Sequence, residues 1–332
     1  MALVDITEFR HLLACPRCRR PLACEEPLRC AQADCELSQR AFAVISGKPV
    51  LVDLEASVIS LDQLRASNGA SPIERSSASR IRRLHRWAIT RTAEAPNDVT
   101  AAQVQRLLRI LRSRPSPSRP SVLVIGGGAM GHQVDDLYEA NDVNLISFDI
   151  YASPLSQFIA DAHGIPLATG SIDAVVIQAV LEHVLEPWKV VDEIHRVLGD
   201  DGLVYSDTPF LQPVHEGPYD FTRFTDSGHR ALFKRFTIID SGLLRGSGTT
   251  LSWVFADFVR ALTRSRALAF VARLGTFWMS YLNRCLDPRK SIDSASSVFL
   301  LGQKSDSSAS PRELVEYYKG DQAASSPDVA DR

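Results

Sequence analysis

The polar and apolar positions change period along the chain. From residue 121 onward, short apolar runs alternate with amphipathic segments. SVLVIG (121–126), VNLISFD (143–149), SIDAVVIQAV (171–180) and LVYSDTP (203–209) read as buried strands. EPWKVVDEIHRVL (186–198) carries the period of a helix, and the glycine-rich loop after the first run opens another. Strands alternating with helices predict an α/β fold, a doubly wound parallel sheet covered on both faces. FTIIDSG (236–242) and SSVFLLGQKS (296–305) read as two late strands. Between them lies the most apolar block, 251–282, where Val254, Phe255, Phe258, Val259 and Leu262 form one helical face. The plain expectation is a lid or dimer element packed against the core. The sharper one is a grip on an apolar acceptor, or peripheral contact with a membrane surface.

Upstream of 121 the pattern differs. DVTAAQVQRLLRILRSR (98–114) predicts a helix with Val104, Leu107, Leu108 and Leu111 as its apolar stripe, capped by Asp98 or Thr100. Residues 55–120 are rich in Ser, Ala and Arg and end in RSRPSPSRPS, which reads as a basic helical linker. Residues 75–119 hold eleven Arg against two acidic residues, so RNA is the alternative acceptor. Trp87 alone is available there for base stacking, and a solvated basic face is the simpler reading. Residues 305–332 are mostly polar and predict a disordered tail. The chain thus divides into 1–54, 55–120, 121–304 and 305–332.

With 332 residues and 45% hydrophobic positions, the chain suits one sizeable core and a smaller unit. A net charge of -2 excludes a wholly basic nucleic-acid binder. The start lacks the pattern of a secretory leader, and no uncharged run approaches the roughly 20 residues of a membrane span. A cytoplasmic protein is the expectation; the oligomeric state is not readable.

Five of six cysteines fall between 15 and 35. Cys15, Cys18, Cys30 and Cys35 form two close pairs that can meet around one tetrahedral Zn, with Cys24 as a spare. A hairpin this small buries too little apolar surface to hold itself, so the metal would supply folding energy. Cys285 is alone and reads as a buried apolar residue. The stretch 10–53 resembles the Trm112-like zinc ribbon family, through LLACPRCRRPL at its front and FAVISGKPVLVD at its back. That resemblance implies a binding and stabilising module that partners or precedes methyltransferases.

The loop GGGAMG places Gly126, Gly128 and Gly131 after a strand, a spacing that suits NAD, FAD or S-adenosylmethionine alike. Asp149 ends the next strand, where a carboxylate can hold ribose hydroxyls of any of these. Further on come Asp161-Ala162, Ile165-Pro166-Leu167, Ile172-Asp173-Ala174-Val175, Leu181-Glu182-His183-Val184 and Glu193-Ile194-His195-Arg196-Val197-Leu198. This ordered series resembles class I S-adenosylmethionine-dependent methyltransferases, of the Methyltransf_11 kind. Val124 stands where that family usually has an acidic residue, the loop is one residue longer, and Gly199–Gly202 reads GDDG in place of Pro-Gly-Gly. The resemblance implies that Gly126, Gly128 and Gly131 line the methionine end of the cofactor and that Asp149 holds the ribose. It implies that Asp161 and Ala162 meet the adenine, and that Gln178 and Ala179 lie beneath the sulfonium.

The loop FLQPVHEGPYDFTRFTDSGHRALF follows the strand at 203–209. Ligands of open α/β sheets sit outside the carboxyl ends of strands, so this loop is the acceptor candidate. It also resembles a methyltransferase subgroup through Pro213, His215, Pro218, Asp220, Phe221, Arg223, Phe224 and Thr225. His215 is the candidate base, with Asp220 beside it. The plainer alternative is that both order the loop, with Asp220 pairing Arg223. His183 reads as a packing residue at the start of the next helix. The expected activity is methyl transfer from S-adenosylmethionine to a hydroxyl or similar group of a small molecule or glycan. The alternatives are an rRNA or tRNA enzyme and a non-catalytic scaffold.

Overall fold

In a computed structural model, the structure describes residues 2–23, 27–70, 98–115 and 118–322. Cys24, Trp87 and the whole of 75–97 within the Arg-rich stretch lie outside them.

The alternating runs form one seven-stranded sheet. Its strands are β3 (Ser121–Ile125), β4 (Asn144–Asp149), β5 (Phe158–Ile159), β6 (Ile172–Gln178), β7 (Leu198–Pro209), β8 (Phe236–Arg245) and β9 (Ser297–Lys304). The order is β5-β4-β3-β6-β7-β9-β8, parallel from β5 to β7, with β9 antiparallel to both β7 and β8. This is the doubly wound sheet expected from the sequence, except that it is mixed, β9 running against its neighbours. Connections run to opposite sides of β3, so the strand order reverses between β3 and β6. A crevice opens there at the carboxyl ends.

Successive side chains of a strand point to opposite faces, and here the two faces have different owners. Leu123, Ile125, Val175 and Ile177 pack against the helix Pro187–Val197 and against Phe9, Leu13 and Leu51 of the N-terminal module. Val122, Val124, Ala174 and Val176 pack against Val104, Leu107, Leu108 and Leu111 of the helix Val99–Ser113. The apolar stripe of that helix is therefore its buried face. Its capping is not as expected. Asp98 occupies the N-cap position without a side-chain hydrogen bond. Thr100 is turned inward, 3.1 Å from the Tyr205 hydroxyl, because the same face that buries the leucines carries it onto the sheet.

The N-terminal module has a two-residue hairpin, β1 (Val44–Ile45) with β2 (Lys48–Pro49), and lies along the sheet edge. Leu3 bridges Leu145 where short β5 leaves β4 uncovered, and Val50 bridges Ile159. Leu13 pairs with Leu167, with Ala14 N donating to Pro166 O and Ala168 N to Leu12 O. These backbone bonds occupy edge groups that would otherwise face solvent or another chain.

Residues 305–322, expected within a disordered tail, are ordered. Ser310 and Glu313 form a reciprocal capping box on the helix Pro311–Glu316. Tyr318 then donates to Asp293, and Arg230 lies over the Tyr317 ring. The block at 251–282 forms the helices Ser247–Thr263 and Arg266–Thr276 and a 3-10 segment, Phe277–Arg284. Its apolar face is not packed on the core: Val254, Phe255, Phe258 and Leu262 are exposed. The inward side is made of Gly248, Thr249, Ser252 and Ala256, small enough for close helix approach. Ser252 meets Thr276 at 3.0 Å. Cys285, expected buried, is exposed because it ends this outlying segment. Among the described residues, no helix is long and apolar enough to cross a membrane.

Candidate functional site

β3 ends at Ile125, and the chain then turns with Gly126 at φ +76°. A side chain there would strike Val180, and one at Gly131 would strike Gln178. Gly126 is thus required by conformation as well as close approach, while at Gly131 a side chain would displace the Gln178 amide. Gln178 ends β6 and donates to Asp207 Oδ2 at 2.9 Å. Ala179 follows with φ +49°, a left-handed conformation costly for a residue with a Cβ, and its N–H donates to Asp207 O.

Gly131, Gln178 and Ala179 border a cavity of about 580 Å³. Its floor holds Glu182, Asp207 and Thr208; its near wall is the loop with His215; its far wall is the helical insertion, with Trp253, Arg260 and Arg273. The other candidates for the cofactor lie outside this cavity, along the ends of β3, β4 and β5. Asp149 is buried, accepting from Gly128 N at 2.8 Å and Ile150 N at 2.7 Å. Burial pushes its carboxyl up to about 6, against the pull of those two bonds. Asp161 caps the turn that contains Ala162. Burial works against its charge, but bonds from His163 and Ser57 outweigh it and lower the pKa. Ser57 donates directly to Asp161 Oδ2, so residues just after the N-terminal module cover the adenine-side candidate. Tyr151 stands over Gly128.

His215 and Asp220 do come together. The His215 backbone N donates to Asp220 Oδ2 at 2.9 Å, and its Nδ1 lies 3.4 Å from the same oxygen. Asp220 also pairs with Arg223. Burial opposes its charge, yet Arg223 and the His215 N–H hold the carboxyl down to about 2. His183 does not simply pack at a helix start. It sits in the turn Leu181–His183, its Nδ1 bonded to Tyr219 O at 2.7 Å and its Nε2 3.1 Å from His215 Nε2. Burial lowers both imidazole pKa values. Glu182 beside them is fully buried, and burial, reinforced by Asp207, pushes its carboxyl up to about 8. Sequence reading gave Glu182 and Asp207 no role and took His183 for a packing residue, and did not bring these three to His215. The adjacent Glu-His pair was the available signal; its partner lies 32 residues on, in a loop whose path is set by the fold.

At the other end, the four cysteine sulfurs lie within 4.8 Å of one another. Cys15 and Cys35 are 3.9 Å apart, and Cys18 and Cys30 3.5 Å, too far for disulfides. Four thiolates around Zn at about 2.3 Å sit roughly 3.8 Å apart, so the donor set fits that ion. Burial raises the Cys15 and Cys30 thiols. Arg17 ties the knuckle to the end of the module, donating to Asp53 at 2.7 and 2.6 Å and to Glu55 at 2.6 Å.

A doubly wound sheet with a switch-point crevice defines an α/β ligand-binding domain. Residues 126–206 match the family model described as Methyltransferase domain (Methyltransf_11), a span from the glycine loop into β7. No curated protein matches the chain. Among solved structures, a Galdieria sulphuraria protein named provisionally as a sarcosine dimethylglycine methyltransferase is 16% identical, over 63% of this chain and 86% of that one, with a TM-score of 0.41. A complex containing the Haloferax volcanii Trm112 methyltransferase activator gives 16%, 64%, 97% and 0.37. The Burkholderia thailandensis 1,6-didemethyltoxoflavin-N1-methyltransferase gives 15%, 71%, 92% and 0.39. At these scores none of them carries an acceptor across to this chain.

Proposed function

We propose that the protein is an S-adenosylmethionine-dependent methyltransferase acting on a hydroxyl or similar nucleophile of a small molecule or glycan. The observation that carries this reading is positional. The segment matched to the methyltransferase domain contains the switch-point crevice, and the crevice opens into a cavity with a polar floor. In this reading Gly126, Gly128 and Gly131 take the methionine end, Asp149 the ribose, Asp161 and Ala162 the adenine, and Gln178 and Ala179 the region of the sulfonium. Bound there, the cofactor supplies an activated methyl group. Ser57 and Tyr151 must then give way on the adenosine side. Gln178, held by Asp207, fixes the floor on which acceptor and donor meet in line. His215, oriented by Asp220, takes the acceptor proton. Arginines 245, 260, 266 and 273 line the cavity together with Glu182, Asp207 and Asp257, a mixed polar wall that suits an oxygen-rich acceptor. The N-terminal module is read as a Trm112-like zinc ribbon that stabilises the domain.

Titration calorimetry with S-adenosylmethionine tests the reading. Saturable binding at micromolar cofactor, weakened about tenfold or more by Asp149→Ala, is expected. No binding up to millimolar cofactor would favour the scaffold. Labelled methyl incorporation into fractionated extract separates small-molecule or glycan acceptors from RNA.

A further inference from the structure

We propose that Glu182, His183 and His215 form a binding site for one divalent first-row transition ion, distinct from the cysteine cluster. The site rests on three atoms. His183 Nε2 and His215 Nε2 face each other at 3.1 Å, and Glu182 Oε1 lies 3.7 Å from the first and 4.0 Å from the second. A point equidistant from all three lies about 2.1 Å from each, the distance at which imidazole and carboxylate bind such ions.

The protonation pattern agrees. His183 Nδ1 bonds to a carbonyl oxygen, so it carries the hydrogen and leaves the Nε2 lone pair free. His215 turns Nδ1 toward Asp220 and Nε2 into the cluster. Two lone pairs pointed at each other across 3.1 Å repel unless a proton or a cation lies between them. Glu182 supplies the independent observation. Its side chain is fully buried, and among the described residues Oε1 has no hydrogen-bond partner. A buried carboxylate oxygen left unpaired is costly, and a cation satisfies it. Tyr219 O and Asp220 act as the outer partners that fix ligating histidines. Two imidazoles with one carboxylate favour a transition ion over Mg.

Glu182 and His215 both border the cavity, so the ion's remaining positions open toward the acceptor. This part rests on the methyltransferase reading. With the ion bound, His215 is a ligand in place of the base: an acceptor hydroxyl held on the ion would lose its proton to water more readily. The oxygen forms a bond to the methyl carbon, the carbon–sulfur bond breaks with its electrons going to sulfur, and one proton is released.

Titrating full-length protein, with zinc left on its cysteines, with Mn²⁺ and following the free-ion signal by electron paramagnetic resonance tests the site without using the cofactor. One bound Mn²⁺ per chain is expected, weakened at least about tenfold in His215→Asn and in Glu182→Gln, and unchanged in the exposed Arg312→Ala. Should Glu182→Gln fail to fold, the half-exposed His215→Asn carries the test, with metal-free melting as its control. No Mn²⁺ or Co²⁺ bound beyond the cysteine site, or equal binding by a His183→Asn/His215→Asn variant, overturns the proposal. Metal binding without S-adenosylmethionine binding would sink the methyltransferase reading and leave the ion site standing.

Discussion

Cys15, Cys18, Cys30 and Cys35 at one end, and Glu182, His183 and His215 beside the cavity, each bring donor atoms within 4.8 Å. They do so by different means. The cysteines come from 21 consecutive residues, and three of the four are buried. Such a closed set suits a structural ion. The second set joins a turn after β6 to a loop after β7, and one side faces a cavity. An open side is what a binding or reacting centre needs. The first cluster should therefore govern stability and the second activity.

Stripping the cysteines is the largest perturbation. Chelation, or Cys15→Ser with Cys30→Ser, should cost about 5 kcal/mol or more and lower Tm by roughly 10–20 °C, because Cys15, Cys30 and Leu13 share a core with Ile125 and Ile177. Calorimetric melting with zinc analysis checks this; an unchanged Tm would show the cysteine module to be a passive appendage. Next comes the opposite signature. His183→Ala with His215→Ala should lower turnover about 100-fold or more while moving stability by no more than about 1 kcal/mol. Initial rates and urea unfolding on the same samples separate the two.

His229 gives a pH handle that belongs to neither cluster. It is fully buried beside Ser206, and burial, aided by Arg230, pushes its pKa down to about 3. Between that value and the ordinary one near 6.5, the unfolded chain binds the extra proton. His229 therefore contributes full stability above about pH 6.5 and loses roughly 2 kcal/mol of it by pH 5. Urea midpoints at pH 7 and 5 should show a smaller acid loss in His229→Gln. The smallest effect is expected at Arg17. Arg17→Ala removes its bonds to Asp53 and Glu55, a partly exposed network, and should cost about 1 kcal/mol or less.

The same contrast explains what could be read from the sequence. The strand runs, the Val104–Leu111 stripe and the cysteine spacing are local patterns, each fixed by neighbours within a few turns. The meeting of His183 and His215 is not local. Neither is the cover that Ser57 places on Asp161 across 104 residues. The 254–262 face shows a second limit. Periodicity identified an apolar side but not its direction, because the small residues of the opposite side make the tighter seam. The ordered tail at 305–322 was hidden in the same way, since polar composition does not reveal a Tyr318–Asp293 bond.

The backbone bonds of Ala2 and Val4 to Tyr138 and Leu145 carry a kinetic consequence. Ala2 and Val4 have no such partner until some 140 residues further along the chain. Contacts this distant in sequence form slowly. The cysteine cluster, whose ligands are all near one another, can close around its ion long before. If the cluster takes zinc, loading would then precede docking, and a chain ending short of residue 145 should fold its knuckle in the presence of zinc with nothing yet to rest upon.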